Sequence, residues 1–325
     1  MDGSRMAMDG ESTMRVGVMG AGAVGSFFGA VLAQAGLPVT LVGRPPHVEA
    51  ITRAGLELTS GAHVRHVPLT ASTDVAALRA ADVVLVCVKS VDTEATAETL
   101  ARTLPPHALL VSLQNGVDNA WRMSARLANP VVPAAVYVSV EMTGPGRLRH
   151  NGGGSLVVGR PVQAGAPSSS ASRIFDAFVA ALGRAGVPCR ESADIRVDLW
   201  TKLTANCAYN AMSALTQLRY RHLVADAGTR EIMRFITEEN AAVALAEGVP
   251  VTVDALAEAM RRIAEVMPEA LSSTAQDLLL GRRTEIDALN GFVVERGQAL
   301  GVPTPVNRTL QALVSLVERS RPAAG

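Results

Sequence analysis

Lys202, Asn206 and Asn210 fall at i, i+4 and i+8 within Leu199–Leu218, a stretch in which Lys202 is the only charged residue. At that spacing the three share one face of a helix, and a helix so neutral is buried over most of its surface. Taking an ammonium and two amides out of water is costly unless they find partners. The seam is therefore either satisfied against a neighbouring domain or lines a cleft that grips a polar substrate. The second group able to do chemistry is Gly20-Ala21-Gly22-Ala23-Val24-Gly25, a Gly-x-Gly-x-x-Gly turn. The first glycine permits a tight turn and the second lets a pyrophosphate approach the backbone. The third lets helix pack against strand, and the helix N-terminus offers free N–H groups and a positive dipole end.

The turn carries meaning only between a strand and a helix, and the flanking residues supply both. Val16-Gly17-Val18-Met19 reads as a buried strand, Ser26 to Gln34 as a helix ended by Gly36-Leu37-Pro38, and Val39 to Val42 as a second strand. No charge occurs between Arg15 and Arg44, a length that would suit a membrane span. Its glycines, Pro38 and strand–turn–helix–strand order instead fit a parallel sheet covered on both faces, and the membrane reading is rejected. Arg44 follows the second strand where NAD-preferring domains carry a carboxylate. A guanidinium there can hold a 2′-phosphate, which favours NADP; the alternative is a solvated loop arginine.

Further along, His47 to Ala54 reads as a short helix, Leu56 to Leu69 as one or two strands, and Asp82 to Val88 as a buried strand ending at Lys89-Ser90. Ligands of doubly wound sheets collect outside the carboxyl ends of the strands, which places Lys89 near cofactor or substrate unless it merely marks the strand's end. A helix from Thr93 to Leu104 and a strand from Ala108 to Leu113 lead to Gln114-Asn115-Gly116. Asn115 either belongs to a simple turn or presents its amide to the nicotinamide and substrate. Strands are expected at Val131 to Glu141 and Gly154 to Gly159, with glycine-rich breaks between them. An exposed loop from Pro161 to Ser172, a helix from Arg173 to Ala185 and a strand from Val187 to Arg190 follow. From Asp194 onward the pattern is helical throughout.

The balance of 30 basic and 30 acidic residues argues against nucleic acid or an anionic membrane as partner. Aromatic residues make up only 3%, too few for base-stacking platforms. Cys87, Cys189 and Cys207 are scattered without metal-ligand or disulfide spacing, which fits a reducing cytoplasm, and metal catalysis has no support. The expected organisation is a disordered leader at 1–13, a Rossmann-type doubly wound domain at 14–192, an all-helical domain at 193–320 and a tail at 321–325.

Six stretches, in order, resemble the ketopantoate reductases (2-dehydropantoate 2-reductases). They are GVMGAGAVG, VCVKS at Val86–Ser90, QNGV at Gln114–Val117, LWTKLTANCAYNAMSALT at Leu199–Thr216, SSTAQD at Ser272–Asp277 and RRTEIDALNGFVVERGQALGVPTPVN at Arg282–Asn307. The resemblance implies an N-terminal Rossmann domain, an all-helical C-terminal domain and an active site in the cleft between them. It implies NADPH-dependent reduction of 2-dehydropantoate in pantothenate biosynthesis, with Lys202 giving a proton to the ketone oxygen. It also implies that Glu285 contacts cofactor and orients the site, that Asn115 touches cofactor and substrate, and that Asn206, Asn210 and Ser273 bind substrate. Arg44 and Lys89 match positions near the NADPH phosphates and the cleft.

The chain departs from the family pattern at Ala211, where many members carry proline. A paralogue acting on another 2-oxo acid, or a dinucleotide sensor without turnover, are the alternatives; the intact Lys202 and Glu285 speak against the sensor. The partner expected is a small 2-oxo acid, in the cytoplasm, with a homodimer left open.

Overall fold

The computed structural model describes residues 13–163 and 169–320. The expected leader, but for residue 13, and the expected tail lie outside them. In chain order the strands are β1 (Val16–Met19), β2 (Val39–Val42), β3 (Leu56–Ser60), β4 (His63–Val67), β5 (Thr70–Ser72), β6 (Val83–Val86), β7 (Leu109–Ser112), β8 (Val131–Gly144), β9 (Arg147–Val158) and β10 (Cys189–Glu191). Among them run α1 (Ala23–Gln34), α2 (Pro45–Ala54), α3 (Thr93–Thr103), α4 (Asn119–Ser124) and α5 (Ser169–Arg184). Among the described residues after β10 come only helices: α6 (Ile195–Thr216), α7 (Tyr220–Ala225), α8 (Ala227–Ala246), α9 (Val253–Val266), α10 (Ser273–Leu279), α11 (Asn290–Leu300) and α12 (Pro305–Ser320).

The short apolar strands form a parallel set in the order β5-β2-β1-β6-β7-β8. Val83, Val84, Leu109, Leu110 and Val111 are fully buried, as strands covered on both faces require. From β1 the chain adds β2 on one side, leaves for the far edge to form β3 and β4, returns to place β5 outside β2, and then crosses to β6 on the other side of β1. The carboxyl ends of β1 and β6 thus flank the point where the strand order reverses, the crevice in which such sheets bind ligands.

Beyond β8 the sheet is mixed. β9 pairs antiparallel with β8, β3 and β10 pair parallel with β9, and β4 closes the edge antiparallel to β3. Here the structure corrects the sequence reading. Gly144-Pro145-Gly146 turns a long hairpin, while Asn151-Gly152-Gly153, expected as a break between strands, lies inside β9. The glycines are accommodated as bulges, with register shifts opposite Tyr137/Val138 and Ser139/Val140. Three of these helices begin earlier than expected: α1 at Ala23 and α5 at Ser169, where small residues fit a first helical turn, and α2 at Pro45, where proline suits the first helical position. The strand expected at Val187–Arg190 is β10, Cys189–Glu191. Residues 164–168 of the expected Pro161–Ser172 loop lie outside the described residues.

α6 is the axis of the helical part. Asp194 caps its N-terminus by accepting the Arg196 N–H at 3.0 Å, and Gln217 closes it in the left-handed conformation at φ 58°. Trp200 and Tyr209 are its large buried side chains, and the Tyr209 hydroxyl donates to Met260 O at 2.9 Å. Ala211 is fully buried and the helix continues five residues beyond it to Thr216, where a proline would have disrupted it.

Candidate active site

The glycine turn connects β1 to α1. Gly20 has φ 102°, and a Cβ there would come within 2.8 Å of the Cys87 carbonyl carbon. A Cβ on Gly25 would run into the Gly20 carbonyl oxygen and the Val18 side chain, so helix and strand touch through it. A Cβ on Gly22, the N-cap of α1, would meet nothing within 4 Å. Open space over a helix N-terminus whose first N–H groups lack intrahelical partners is what a dinucleotide pyrophosphate needs, and the turn fits that group. Ala21, Ala23 and Val24 complete the turn. Gly43, at the end of β2, faces Ala21 so closely that a Cβ would lie 2.7 Å from the alanine's. Arg44 follows, exposed at the N-cap of α2, with no side-chain hydrogen bond to another described residue.

Beneath Arg44, His47 is buried between three elements. Its Nδ1 accepts the Gly146 N–H at 2.9 Å, which fixes the proton on Nε2, 3.1 Å from the Ser26 hydroxyl. Burial holds its pKa below the ordinary value.

The carboxyl ends of β6 and β7 carry Lys89-Ser90 and Gln114-Asn115, and one residue from the helical part ties them together. Glu285 accepts the Ser90 N–H through Oε1 at 3.1 Å and the Asn115 amide through Oε2 at 3.0 Å. The Ser90 hydroxyl donates to Asn115 O at 2.6 Å, and Asn119 donates to the same carbonyl at 2.7 Å. Asn119 in turn accepts from Thr93 at 2.9 Å, and Thr93 accepts from Gln114 at 2.8 Å. Arg122 on α4 closes the arrangement, pairing with Glu94 at 2.6 Å and donating to Ser90 O at 3.0 Å. Buried polar groups in so connected a network hold the Asn115 amide in one orientation.

From α6, the Asn206 amide donates to Asn115 Oδ1 at 3.5 Å, one turn beyond Lys202. The Lys202 ammonium donates to Val136 O on β8 and lies 5.7 Å from the centre of the Tyr137 ring. Burial lowers its pKa to about 8, and the Glu285 carboxylate opposes that shift. Lys202, Asn206, Asn115 and Glu285 are therefore gathered at the carboxyl ends of the strands, where the strand-bearing and helical parts meet. Asn210, two turns along, is buried.

Lys89 is already engaged across the same junction. Its ammonium pairs with Asp277 at 2.8 Å and donates to Arg283 O. Ser273 is exposed in the first turn of α10 and joins none of these contacts. Its neighbour Ser272 does the anchoring, accepting the Ala275 N–H at 3.0 Å and donating to Asn210 O at 3.3 Å. Sequence reasoning gave no role to Asp277, Ser90, Asn119 or Arg122. The polar residues that alternate with apolar ones after Lys89 and Asn115 were the available signal. Among the described residues no group of histidine, cysteine and carboxylate side chains is arranged to hold a metal ion, and no helix is long and apolar enough to cross a membrane.

Two family models match the chain: "Ketopantoate reductase PanE/ApbA" over residues 16–163, and the C-terminal part of the same family over residues 194–318. The 2-dehydropantoate 2-reductase of Halobacterium salinarum is 35% identical over 310 residues, covering 94% of this chain and 99% of the relative. That of Mesorhizobium japonicum is 32% identical, covering 94% and 97%. Among solved structures, a PanE/ApbA family ketopantoate reductase from Ralstonia eutropha JMP134 superposes with TM-score 0.85 at 48% identity, covering 94% of this chain and 99% of that one. A D-mandelate dehydrogenase solved with NADH and anilino(oxo)acetate has TM-score 0.86 at 23% identity, covering 94% and 99%, and shares the fold.

Proposed function

The chain belongs to the ketopantoate reductase family, a family of dinucleotide-binding oxidoreductases, and from that premise we propose that it reduces 2-dehydropantoate to pantoate with NADPH, Lys202 donating the proton. The observation that carries this reading is the single cationic side chain of the buried α6 face, Lys202, gathered with Asn206, Asn115 and Glu285 beside the glycine turn's crevice.

Bound at the turn from Gly20 to Gly25, with Arg44, Lys89, Asn115 and Glu285 as further contacts, the dinucleotide supplies the hydride. The chain's own residues handle the charge that results. Reduction of a ketone leaves negative charge on its oxygen, and an ammonium beside that oxygen both stabilises and protonates it. Burial makes Lys202 a readier donor than a solvated lysine, while Glu285 keeps it protonated at neutral pH. Asn206, Asn210 and Ser273 bind the oxo acid. Asn115 is held by Glu285 and the Ser90–Asn119 pair, so its amide contacts cofactor and substrate without having to find its orientation. Residues 14–192 form the cofactor domain and 193–320 the substrate domain.

Ala211 favours a second substrate reading, in which the unbroken helix admits a different 2-oxo acid. A panel of 2-oxo acids assayed with NADPH and NADH by loss of nicotinamide absorbance tests the whole. The highest kcat/KM is expected for 2-dehydropantoate with NADPH. A different preferred acid would replace the substrate, and no turnover with any acid would remove the activity.

A further inference from the structure

The partners of Lys202 come from two directions, Glu285 on the helical side and consecutive residues of β8 on the other. Val136 O accepts from the ammonium, and the face of the next residue, Tyr137, lies within the ~6 Å over which a ring quadrupole attracts a cation. Tyr137 points away from the sheet's own core and packs into the cluster built around α6. Its phenol is pushed up to about 12, first by burial and then by Asp198 of α6, with Arg190 of β10 opposing. The ring therefore stays neutral wherever Lys202 carries charge.

The main chain beneath this pair is unusual. In β9 the register slips between Ser155, opposite Tyr137, and Gly153, opposite Val138, leaving Gly154 as an extra residue. Gly153 sits at φ 75°, and a Cβ on it would come within 2.6 Å of Tyr137 O and 3.2 Å of Val138 Cα. Any side chain at 153 must push β8 away at the residue that meets Lys202. Bulges of this kind re-aim side chains next to functional sites.

We propose that Tyr137 is a positioning residue for Lys202, its ring face carrying the ammonium while Val136 O takes one N–H, and that Gly153 keeps that stretch of β8 in place. The proposal rests on the reading of Lys202 as proton donor and adds what holds it ready. An ammonium has three donors on a flexible stem. With one fixed on a carbonyl and the charge drawn to one ring face, it no longer samples the full range of directions. The charged groups that face it from the surrounding elements are Glu285 after α10 and, beyond the phenol, Asp198 and Arg190.

The test is competitive labelling of the free protein with trace acetic anhydride, Lys202 being followed by mass spectrometry as pH is raised. Only the uncharged amine reacts, so the profile reads the ammonium directly and needs neither cofactor nor oxo acid. Wild type is expected to titrate near 8, and Tyr137→Phe to follow it. Tyr137→Leu, which keeps apolar bulk and loses the ring, should titrate lower by about 0.5–1 unit. Gly153→Ala should move the same way, with thermal melts confirming that each variant folds. Should Tyr137→Leu not fold, Tyr137→Met carries the comparison. A Tyr137→Leu profile that overlays wild type, or a Tyr137→Phe profile displaced as far as Tyr137→Leu, overturns the proposal. Loss of reductase activity on Lys202→Ala is a separate reading. Its failure would remove the proton-donor role and leave the labelling result standing.

Discussion

Asn115 and Glu285 lie 170 residues apart in the chain, yet the Asn115 amide donates to Glu285 Oε2 at 3.0 Å. The carboxylate's other oxygen takes the Ser90 N–H, so one side chain from the helical part fixes two strand ends of the sheet at once. It also supplies the negative charge that opposes the lowering of the Lys202 pKa. Replacing Glu285 with Gln keeps the size and removes that charge. The alkaline limb of the kcat profile should then move to lower pH, because burial of Lys202 is no longer opposed. A limb that stays in place would separate Glu285 from the lysine.

Gly22 and Gly25 should respond oppositely to substitution. Gly22 faces open space in extended backbone at φ −80°, so Gly22→Asp should fold with an unchanged or slightly raised Tm, Asp being a favourable N-cap. Its carboxylate would sit where phosphates are expected and should weaken NADPH binding at least about tenfold by calorimetry. Gly25→Val should fail at folding instead, since its Cβ has no room. Undiminished NADPH binding by Gly22→Asp would move the cofactor away from this turn.

Arg44 is exposed and uncommitted to another described side chain, as a group reserved for a ligand would be. Arg44→Asp should raise the Michaelis constant for NADPH about tenfold or more, the scale of a lost charge-assisted hydrogen bond, and leave that for NADH nearly unchanged. Equal effects on both cofactors would make Arg44 a solvated loop residue.

His47 gives the fold a pH dependence. Burial depresses its folded pKa below the ordinary 6.5, so the unfolded chain binds the proton more readily. The stability it contributes is present above pH 6.5 and is lost as pH falls from there toward the folded value. Tm measured on both sides of that window should fall less for His47→Gln than for wild type. Parallel slopes would assign the acid sensitivity to other groups.

Much of this was legible in the sequence because the signals were local. The strands β1, β2, β6 and β7 announce themselves as apolar runs, and the Gly20–Gly25 turn lies between a strand and a helix as its motif requires. The Lys202–Asn206 spacing foretold a shared face, and Lys202 meets β8 at Val136 while Asn206 meets Asn115 just past the end of β7. What was hidden depended on partners distant in sequence. Asn151-Gly152-Gly153 has the composition of a turn, and only pairing with β8 makes it a bulged strand. Asp277 has no meaning until Lys89 is 2.8 Å away. Ser273 matched by motif, whereas the hydrogen bonds that dock α10 on α6 belong to Ser272, a distinction made by the helix's phase.

Lys202 is the proposed proton donor, and the most direct test of that role is turnover of Lys202→Ala at saturating NADPH and 2-dehydropantoate as a function of pH. The wild-type rate should fall as pH rises through about 8, where the ammonium is lost. In Lys202→Ala the rate should drop by roughly two or more powers of ten, the scale of general acid catalysis, and that limb should vanish while NADPH affinity is retained. A variant that keeps near wild-type turnover, or loses rate yet keeps the same alkaline limb, would contradict the mechanism.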